Sequence, residues 1–123
     1  MDETVLNQPA VYSKTFTGCL TDHLGTRRWF INGAYGRGSD LPTIEYADGS
    51  VAWFAENPKR GKFGQQDAVP HRETGPAIIK ANGTEIWYRL GALHREDGPA
   101  VQLPDGTQKW FLNDKCIKVI RAV

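Results

Sequence analysis

The four tryptophans of this chain follow one spacing rule, and few folds permit such a rule. Each tryptophan lies four residues after a glycine and is followed by Phe or Tyr. The four sets are Gly25, Trp29 and Phe30; Gly49, Trp53 and Phe54; Gly83, Trp87 and Tyr88; Gly106, Trp110 and Phe111. The last two sets also share His-Arg-Glu and Gly-Pro-Ala at an offset of 23 residues. Such a period predicts a repeat architecture, in which each copy forms one supersecondary unit.

The last copy predicts a β-hairpin. Residues 100–103 alternate between apolar and polar, as in a strand, and Asp105-Gly106 is a strong signal for a two-residue type I′ turn. A two-residue turn fixes the register, so the same count applies to every copy. The predicted pairs are Trp29 with Leu20, Trp53 with Ile44, Trp87 with Ile78, Trp110 with Val101, Phe30 with Cys19, Phe54 with Thr43, Tyr88 with Ala77, Phe111 with Ala100, Asp22 with Arg27 and Lys80 with Glu85.

We therefore predict an all-β fold: an antiparallel meander of four tandem hairpin repeats that forms an elongated, twisted sheet. The whole chain, 1–123, is expected to be a single repeat domain, with repeats at about 15–37, 38–59, 71–93 and 94–116. Gly49 and Gly83 are 34 residues apart rather than 23, so 11 residues are inserted, and we place them in an exposed loop at 60–70. Asn32-Gly33 predicts a second turn in the first repeat. The segment 116–121 is expected to pair back on 109–112 as a closing strand.

Composition narrows the class of function. The net charge of +1 gives no strong signal for nucleic acid or an acidic membrane. No apolar run approaches the length of a membrane span, and 1–14 lacks the basic start and apolar core of a signal peptide. Cys19 and Cys116 lie in the first and last repeats, too far apart to bridge in an open sheet. We expect free thiols and a cytoplasmic protein.

Strand alternation predicts two unlike faces. The face with the tryptophans is more apolar and is the candidate core; a homodimer through it is the favoured cover for its apolar surface. The other face is expected to form a shallow aromatic groove. The inserted segment adds cations and a ring, of the kind enriched in interface hot spots. The candidate partner-binding residues are Phe30, Phe54, Tyr88 and Phe111 on the sheet and Lys59, Arg60, Lys62 and Phe63 in the inserted segment.

The two His-Arg-Glu triplets, at 71–73 and 94–96, are the clustered titratable groups that recur in register. One interpretation is a two-histidine site for a metal or for acid–base chemistry. The other is a structural loop network, with Arg paired to acids and each His packed beside the next hairpin. Two histidines without a third ligand make a poor zinc site. The sequence also lacks Ser-His-Asp, CxxC and phosphate-loop patterns, so we predict no cofactor and no bound metal.

The 23-residue period, the Asp-Gly hairpin and the aromatic pair of the return strand resemble MORN-type repeats. The fuller pattern, HREDGPA followed by PDGTQKWFLND, is similar to tandem repeats in uncharacterised proteins of bacteriophages and bacteria. The resemblance covers about 15–116 and implies a non-enzymatic scaffold that binds another protein, such as a phage-encoded inhibitor of a host defence or regulatory protein. The alternative function is a small enzyme that uses the His-Arg-Glu loops. The first repeats depart from the pattern, with Arg37 and Gly38 in place of His-Arg and Leu41 in place of Gly.

Overall fold

The computed structural model describes residues 16–57 and 68–122, and these residues form an open, all-β structure. Its fourteen strands are β1 (Gly18–Thr21), β2 (Arg27–Ile31), β3 (Ala34–Tyr35), β4 (Ile44–Glu45), β5 (Val51–Ala52), β6 (Phe54–Glu56), β7 (Ala68–Pro70), β8 (Ile78–Ile79), β9 (Glu85–Ile86), β10 (Tyr88–Arg89), β11 (Ala92–Leu93), β12 (Val101–Gln102), β13 (Gln108–Leu112) and β14 (Lys115–Ile120). The main sheet runs in the order β1-β2-β4-β5-β8-β9-β12-β13-β14, with β3 attached to β2. Every pairing is antiparallel, so the predicted meander is confirmed.

The turn that closes each main hairpin differs from the predicted two-residue type I′ turn. In the second repeat, Gly49 N–H donates to the Tyr46 carbonyl at 3.0 Å, and Tyr46 N–H donates to the Ser50 carbonyl at 2.8 Å. Three residues therefore form the loop, which ends with Gly49 at a φ of +96°. This is a type I turn followed by a glycine bulge, a common three-residue hairpin connection. Residues at the other three turns repeat these bonds.

The longer loop shifts the cross-strand register by one residue, so the predicted partners are wrong. Trp29 lies opposite Cys19, and Leu20 lies opposite Arg28. The predicted charge pairs are wrong for the same reason, since Asp22 bonds Arg28 at 2.9 Å instead of lying opposite Arg27. The observed partners in the other copies are Ile44 with Ala52, Ile78 with Ile86, Val101 with Lys109, and Ile79 with Glu85.

Because side chains alternate across a strand, a one-residue shift moves a whole set of side chains to the other face. The face with the tightest burial carries Leu20, Phe30, Ile44 and Ala52, which are between 0% and 6% exposed. Trp29 lies on the opposite face of β2 from Phe30 and is half-buried. The prediction that the tryptophans share the core face with Leu20 is therefore wrong, and so is the expectation that Phe30 lines an open groove.

A second set of turns lies at the opposite end of the hairpins. Asn32-Gly33, Leu90-Gly91 and Asn113-Asp114 each have positive φ at both residues, between 47° and 88°. These are two-residue type I′ turns, and the hairpin predicted at Asn32-Gly33 is confirmed.

In the second repeat a longer connection replaces the type I′ turn. Phe54 pairs with Pro70 and Glu56 with Ala68, so β6 and β7 extend this hairpin. The predicted loop at 60–70 is therefore wrong over 68–70, which form a strand, and its remaining residues lie outside the described part of the chain.

The predicted closing strand is confirmed. β14 pairs with β13, and Val119 lies opposite Lys109. This pairing is equivalent to the one between two successive repeats, in which Val101 of β12 lies opposite Ile86 of β9. Cys116 is an exposed free thiol on this strand, whereas Cys19 is half-buried on β1, at the far end of the sheet.

Hydroxyl groups tie the main turns to one another. Thr26 Oγ1 accepts a hydrogen bond from Ala47 N–H at 3.3 Å, and Ser50 Oγ accepts one from Ala81 N–H at 2.8 Å. Thr107 Oγ1 accepts from Ala122 N–H at 3.2 Å. At three of the four main turns, the hydroxyl residue after the glycine thus holds the backbone of the following segment, whereas Pro104, at the position of Ala47 and Ala81, has no N–H to donate.

Candidate binding site in the loops between repeats

Each tryptophan is covered by a cation from a later segment of the chain: a loop arginine for the first three and Lys118 of β14 for the last. The guanidinium carbons of Arg37, Arg72 and Arg95 lie 3.6, 3.7 and 3.9 Å from the ring centroids of Trp29, Trp53 and Trp87, and Lys118 Nζ lies 4.8 Å from that of Trp110. A cation over an aromatic face contributes about 0.5–1 kcal/mol at exposed sites and more when desolvated. The arginine of the His-Arg-Glu triplet therefore joins its own loop to the preceding hairpin.

These contacts correct the alignment of the first loop. Arg37 takes the place of Arg72 and Arg95, so Gly36 stands at the histidine position. The predicted replacement of His-Arg by Arg37-Gly38 is off by one residue, and the arginine is retained.

The sequence did contain a signal for these contacts. A cation follows Trp29, Trp87 and Trp110 by eight residues and follows Trp53 by nineteen, and the eleven inserted residues account for the difference.

Two neighbours hold each arginine in place. Arg72 Nη1 donates to the Pro76 carbonyl at 3.2 Å, and Arg95 Nη1 donates to the Pro99 carbonyl at 3.1 Å. A Cβ atom at Gly98 would lie only 2.7 Å from Arg95 Cζ, and one at Gly75 would lie 2.8 Å from Arg72 Nη1. In these two loops the glycine before the proline therefore leaves the space that the guanidinium occupies.

The first loop reaches the same geometry with one extra residue. Arg37 Nη1 donates to the Pro42 carbonyl at 3.2 Å, five residues away rather than four. Ser39 and Asp40 take positive φ values of 63° and 54°, which bulge the backbone outward. Leu41 stands at the glycine position of the other loops and is 45% exposed. The extra residue explains why Leu41 is accommodated there.

The two triplet histidines join neighbouring repeats. His71 Nδ1 accepts a hydrogen bond from Leu90 N–H at 2.9 Å, and His94 Nδ1 accepts one from Asn113 N–H at 3.1 Å. Their Nε2 atoms lie 3.0 and 3.4 Å from the carboxylates of Glu73 and Glu96. These partners fit a ring that carries its proton on Nε2. The structural loop network, one of the two interpretations from the sequence, is the arrangement that the contacts show.

Gly36 stands where the other two loops carry a histidine, and the absence of a histidine there is consistent with the role of His71 and His94 as acceptors for a turn of the next repeat. The type I′ turn that a histidine there would cap is the one replaced by the inserted segment of the second repeat. For the first repeat, Thr17 Oγ1 accepts the corresponding bond from Asn32 N–H at 2.9 Å. Within 16–57 and 68–122, no three His, Cys, Asp or Glu side chains are grouped closely enough to hold a metal.

Two grooves lie side by side between successive loops. The first groove, of about 340 Å³, runs between the loops at 36–42 and 71–74, with Trp53 and Phe54 in its lining. The second groove, of about 440 Å³, runs between the loops at 72–74 and 94–97, with Trp87, Tyr88 and Arg89 in its lining. Two of the predicted partner-binding residues, Phe54 and Tyr88, therefore occupy equivalent places in adjacent grooves. Burial raises the pKa of the Tyr88 phenol.

The first groove is lined by a carboxylate of the chain itself, which is bound to the groove's donors. The Asp40 carboxylate accepts hydrogen bonds from Arg72 Nε at 3.1 Å, Arg72 Nη2 at 3.0 Å and the Thr74 hydroxyl at 2.7 Å. The Asp40 carbonyl accepts a bond from Trp53 Nε1 at 3.0 Å. The hydrogen bonds from the Arg72 guanidinium, which have the largest effect, and from the Thr74 hydroxyl hold the pKa of the Asp40 carboxyl below its ordinary value of 3.8.

The second groove lacks such an occupant among the described residues. Trp87 Nε1 is buried, and no described residue accepts its hydrogen bond. Arg95 Nε donates to Asp97 Oδ1 of its own loop at 3.1 Å, and the Asp97 side chain is 85% exposed. Thr74 stands where Asp40 stands in the preceding loop, two residues before the proline, and brings no carboxylate.

The other two predicted residues of the sheet, Phe30 and Phe111, line neither groove. Phe30 is 2% exposed and packs against Phe16 and Tyr35, at centroid distances of 6.0 and 4.9 Å, so it offers no contact surface. Phe111 is half-buried on β13, opposite Cys116. Lys59, Arg60, Lys62 and Phe63 lie outside the described residues.

The chain matches no protein-family model, no curated protein and no solved structure. The resemblance to MORN-type repeats therefore depends on the residues of this sequence. Nowhere in 16–57 or 68–122 is there a helix with the length and apolarity that a membrane crossing requires.

Proposed function

We propose that this protein is a non-enzymatic protein-binding module, and that its partner contacts the two grooves between the loops. The observation that carries the proposal is the repetition of grooves lined by Trp, a second ring and Arg on a framework that fixes their spacing. Trp, Tyr and Arg are the residues most enriched among interface hot spots. Side chains held by packing and hydrogen bonds also lose less entropy when a partner binds.

The inserted segment belongs to this proposed surface. Phe54 lines the first groove and pairs with Pro70 at the base of the segment. The Pro70 carbonyl accepts a hydrogen bond from Gly91 N–H at 2.9 Å, next to the turn that follows Tyr88 and Arg89. We therefore include Lys59, Arg60, Lys62 and Phe63 as contact residues, because the segment that carries them begins and ends beside the grooves.

The contacts of the triplets lend no support to the alternative, a small enzyme. Both ring nitrogens of His71 and of His94 are engaged within the network of loops. The three arginines cover tryptophans and donate to carbonyl groups. A partner among host defence or regulatory proteins, the class that the sequence resemblance implies, is the first to test.

The test is affinity capture from a lysate of the native host, followed by titration calorimetry with the purified partner. Arg89→Glu reverses an exposed charge in the lining of the second groove, whereas Lys80→Glu reverses an exposed charge at a main turn, away from both grooves. We expect Arg89→Glu to weaken binding at least tenfold, about 1.4 kcal/mol, and Lys80→Glu to leave it unchanged. Equal affinity for both variants, with melting temperatures preserved, would rule out the grooves as the binding surface.

A further inference from the structure

We propose that the second groove binds a carboxylate of the partner, supplied by an Asp or Glu side chain, as the first groove binds Asp40. This inference rests on the proposed function and specifies the chemistry that the partner must present. The first groove serves as an internal template, because one residue there satisfies an indole N–H, an arginine fork and a hydroxyl together.

Two donors of this template are open in the second groove. Trp87 Nε1 corresponds to Trp53 Nε1 and has no described acceptor, although it is buried. A buried donor without a partner costs about 1–3 kcal/mol, so a ligand that supplies an acceptor recovers part of that free energy. Arg95 corresponds to Arg72, and no described residue accepts a hydrogen bond from its Nη2 atom. A bidentate arginine–carboxylate pair gives both strength and geometric specificity.

The third donor of the template is altered. Thr74 donates its hydroxyl to Asp40, but the equivalent position in the next loop is Asp97, which is itself bonded to Arg95 Nε. Asp97 therefore competes with an incoming carboxylate and must rotate outward for the full fork to form. Its 85% exposure and its single contact make that rotation inexpensive.

The charged residues that line the second groove favour a single carboxylate on a peptide over a polyanion. Arg89 lines the groove together with Arg95, whereas Glu73 and Glu96 bond the triplet histidines. The groove is therefore locally balanced rather than strongly basic. Such a site favours one carboxylate on a peptide backbone, whose carbonyl reaches the indole, over a polyanion.

The experiment is an NMR titration that follows the indole N–H signals of ¹⁵N-labelled protein. The probe is the peptide acetyl-Gly-Ser-Asp-Leu-Pro-amide, which repeats residues 38–42 of the chain, and the matched control peptide carries Asn for Asp. Trp87→Phe assigns the signal. Trp53 provides an internal control, because its indole N–H is already bonded to Asp40.

We expect the Asp peptide to shift the Trp87 signal with a Kd of about 1 mM, equivalent to roughly −4.1 kcal/mol. The Asn peptide should bind at least tenfold more weakly, and Asp97→Thr should bind the Asp peptide several-fold more tightly. An unmoved Trp87 signal up to about 10 mM, or equal shifts with both peptides, would overturn the inference. A shift seen only in Asp97→Thr would overturn it too, because Asp97 would then close the groove in the natural chain.

Failure of this inference and failure of the proposed function give different results. If Arg89→Glu abolishes binding of a captured partner while the Asp peptide does not bind, the proposed protein-binding function is supported. The inference that the second groove binds a carboxylate is then wrong. If no partner depends on Arg89, the proposed function fails, whatever the peptide does.

Discussion

Gly98→Ala tests whether the arginine over Trp87 is as closely fitted as the structure shows. The backbone of Gly98 does not lie at positive φ, so alanine is compatible with its conformation. The added methyl group would lie 2.7 Å from Arg95 Cζ and 3.0 Å from both Nε and Nη1. Because such separations are too short for carbon and nitrogen, we expect the guanidinium to be displaced from its place over the indole ring.

The expected loss of stability follows from the contacts that Arg95 makes. Displacement costs the cation–π contact, about 0.5–1 kcal/mol, and a charged hydrogen bond to the Pro99 carbonyl, about 1.5–3 kcal/mol. Replacing glycine by alanine restricts the unfolded chain and returns about 0.4–1 kcal/mol. The net change is a destabilisation of about 2 kcal/mol, which lowers the melting temperature by roughly 6–10 °C for a chain of this size.

A matched substitution should change stability in the opposite direction. Gly38 lies in the equivalent first loop, has no positive φ, and a Cβ atom there would meet nothing within 4 Å. Gly38→Ala should therefore stabilise the protein by about 0.4–1 kcal/mol. Urea unfolding followed by tryptophan fluorescence measures both changes.

A double-mutant cycle then identifies the cause. In a background of Arg95→Ala the clash is gone, so Gly98→Ala should become stabilising, with a coupling energy of about 2–3 kcal/mol between the two positions. If Gly98→Ala stabilises the otherwise natural chain as much as Gly38→Ala does, the fitted position of the guanidinium is refuted. A Gly98→Ala cost that persists without Arg95 would place the strain in the backbone instead.

Four further predictions concern other features of the fold. Gly106→Val should cost about 2 kcal/mol or more in thermal melts, because its φ of +96° strains a β-branched residue; an unchanged melt would refute the turn geometry. His94→Ala should cost about 1–2 kcal/mol and speed hydrogen exchange at Asn113, whose N–H loses its acceptor; unchanged exchange would contradict that role. The folded pKa of Asp40 lies below the ordinary value of 3.8, so its stabilisation is complete above that pH and is lost as pH falls through the folded pKa. Thermal melts across this pH range should therefore show that acid lowers the melting temperature less in Asp40→Asn than in the natural chain. Identical pH profiles for the two proteins would contradict the stabilising role of the Asp40 carboxylate. Replacing 57–67 by Asn-Gly, as in the first repeat, should leave the melting temperature within about 2 °C, since β6 and β7 keep their pairing; a large drop would show that the segment stabilises the fold.

The sequence was sufficient for the architecture but not for the register. Four Gly-Trp spacings establish the repeat. The turn residues and strand alternation within each copy then indicate the hairpin meander. Asp-Gly, however, occurs both in two-residue type I′ turns and in three-residue loops that end in a glycine bulge. These two loops differ by one residue, and that difference moved Trp29 away from the face of Leu20. Hydrophobicity could not decide between them, since both faces carry aromatic residues.

The candidate site was predicted in part. Phe54 and Tyr88 were predicted as rings of an aromatic groove beside the inserted segment, and each lines one of the two grooves. The loops that form the groove walls were weighed as a metal or acid–base site or as a network, and the network is what the contacts show. Asp40 was not singled out, because its role depends on one extra residue in a loop, and a spacing of 24 between Gly25 and Gly49 looks like an ordinary variation of the period.

The second repeat shows that this scaffold accommodates an insertion at one of its type I′ turns. Eleven extra residues enter at one type I′ turn without disturbing the main sheet, and the histidine that would have capped that turn is replaced by Gly36. Turn and cap thus behave as one exchangeable unit. The turns at 90–91 and 113–114 are equivalent entry points, so a foreign peptide inserted at either would release His71 or His94 from its structural role. A protein engineer would then have display positions along one edge of the array, each paired with a histidine free to be mutated.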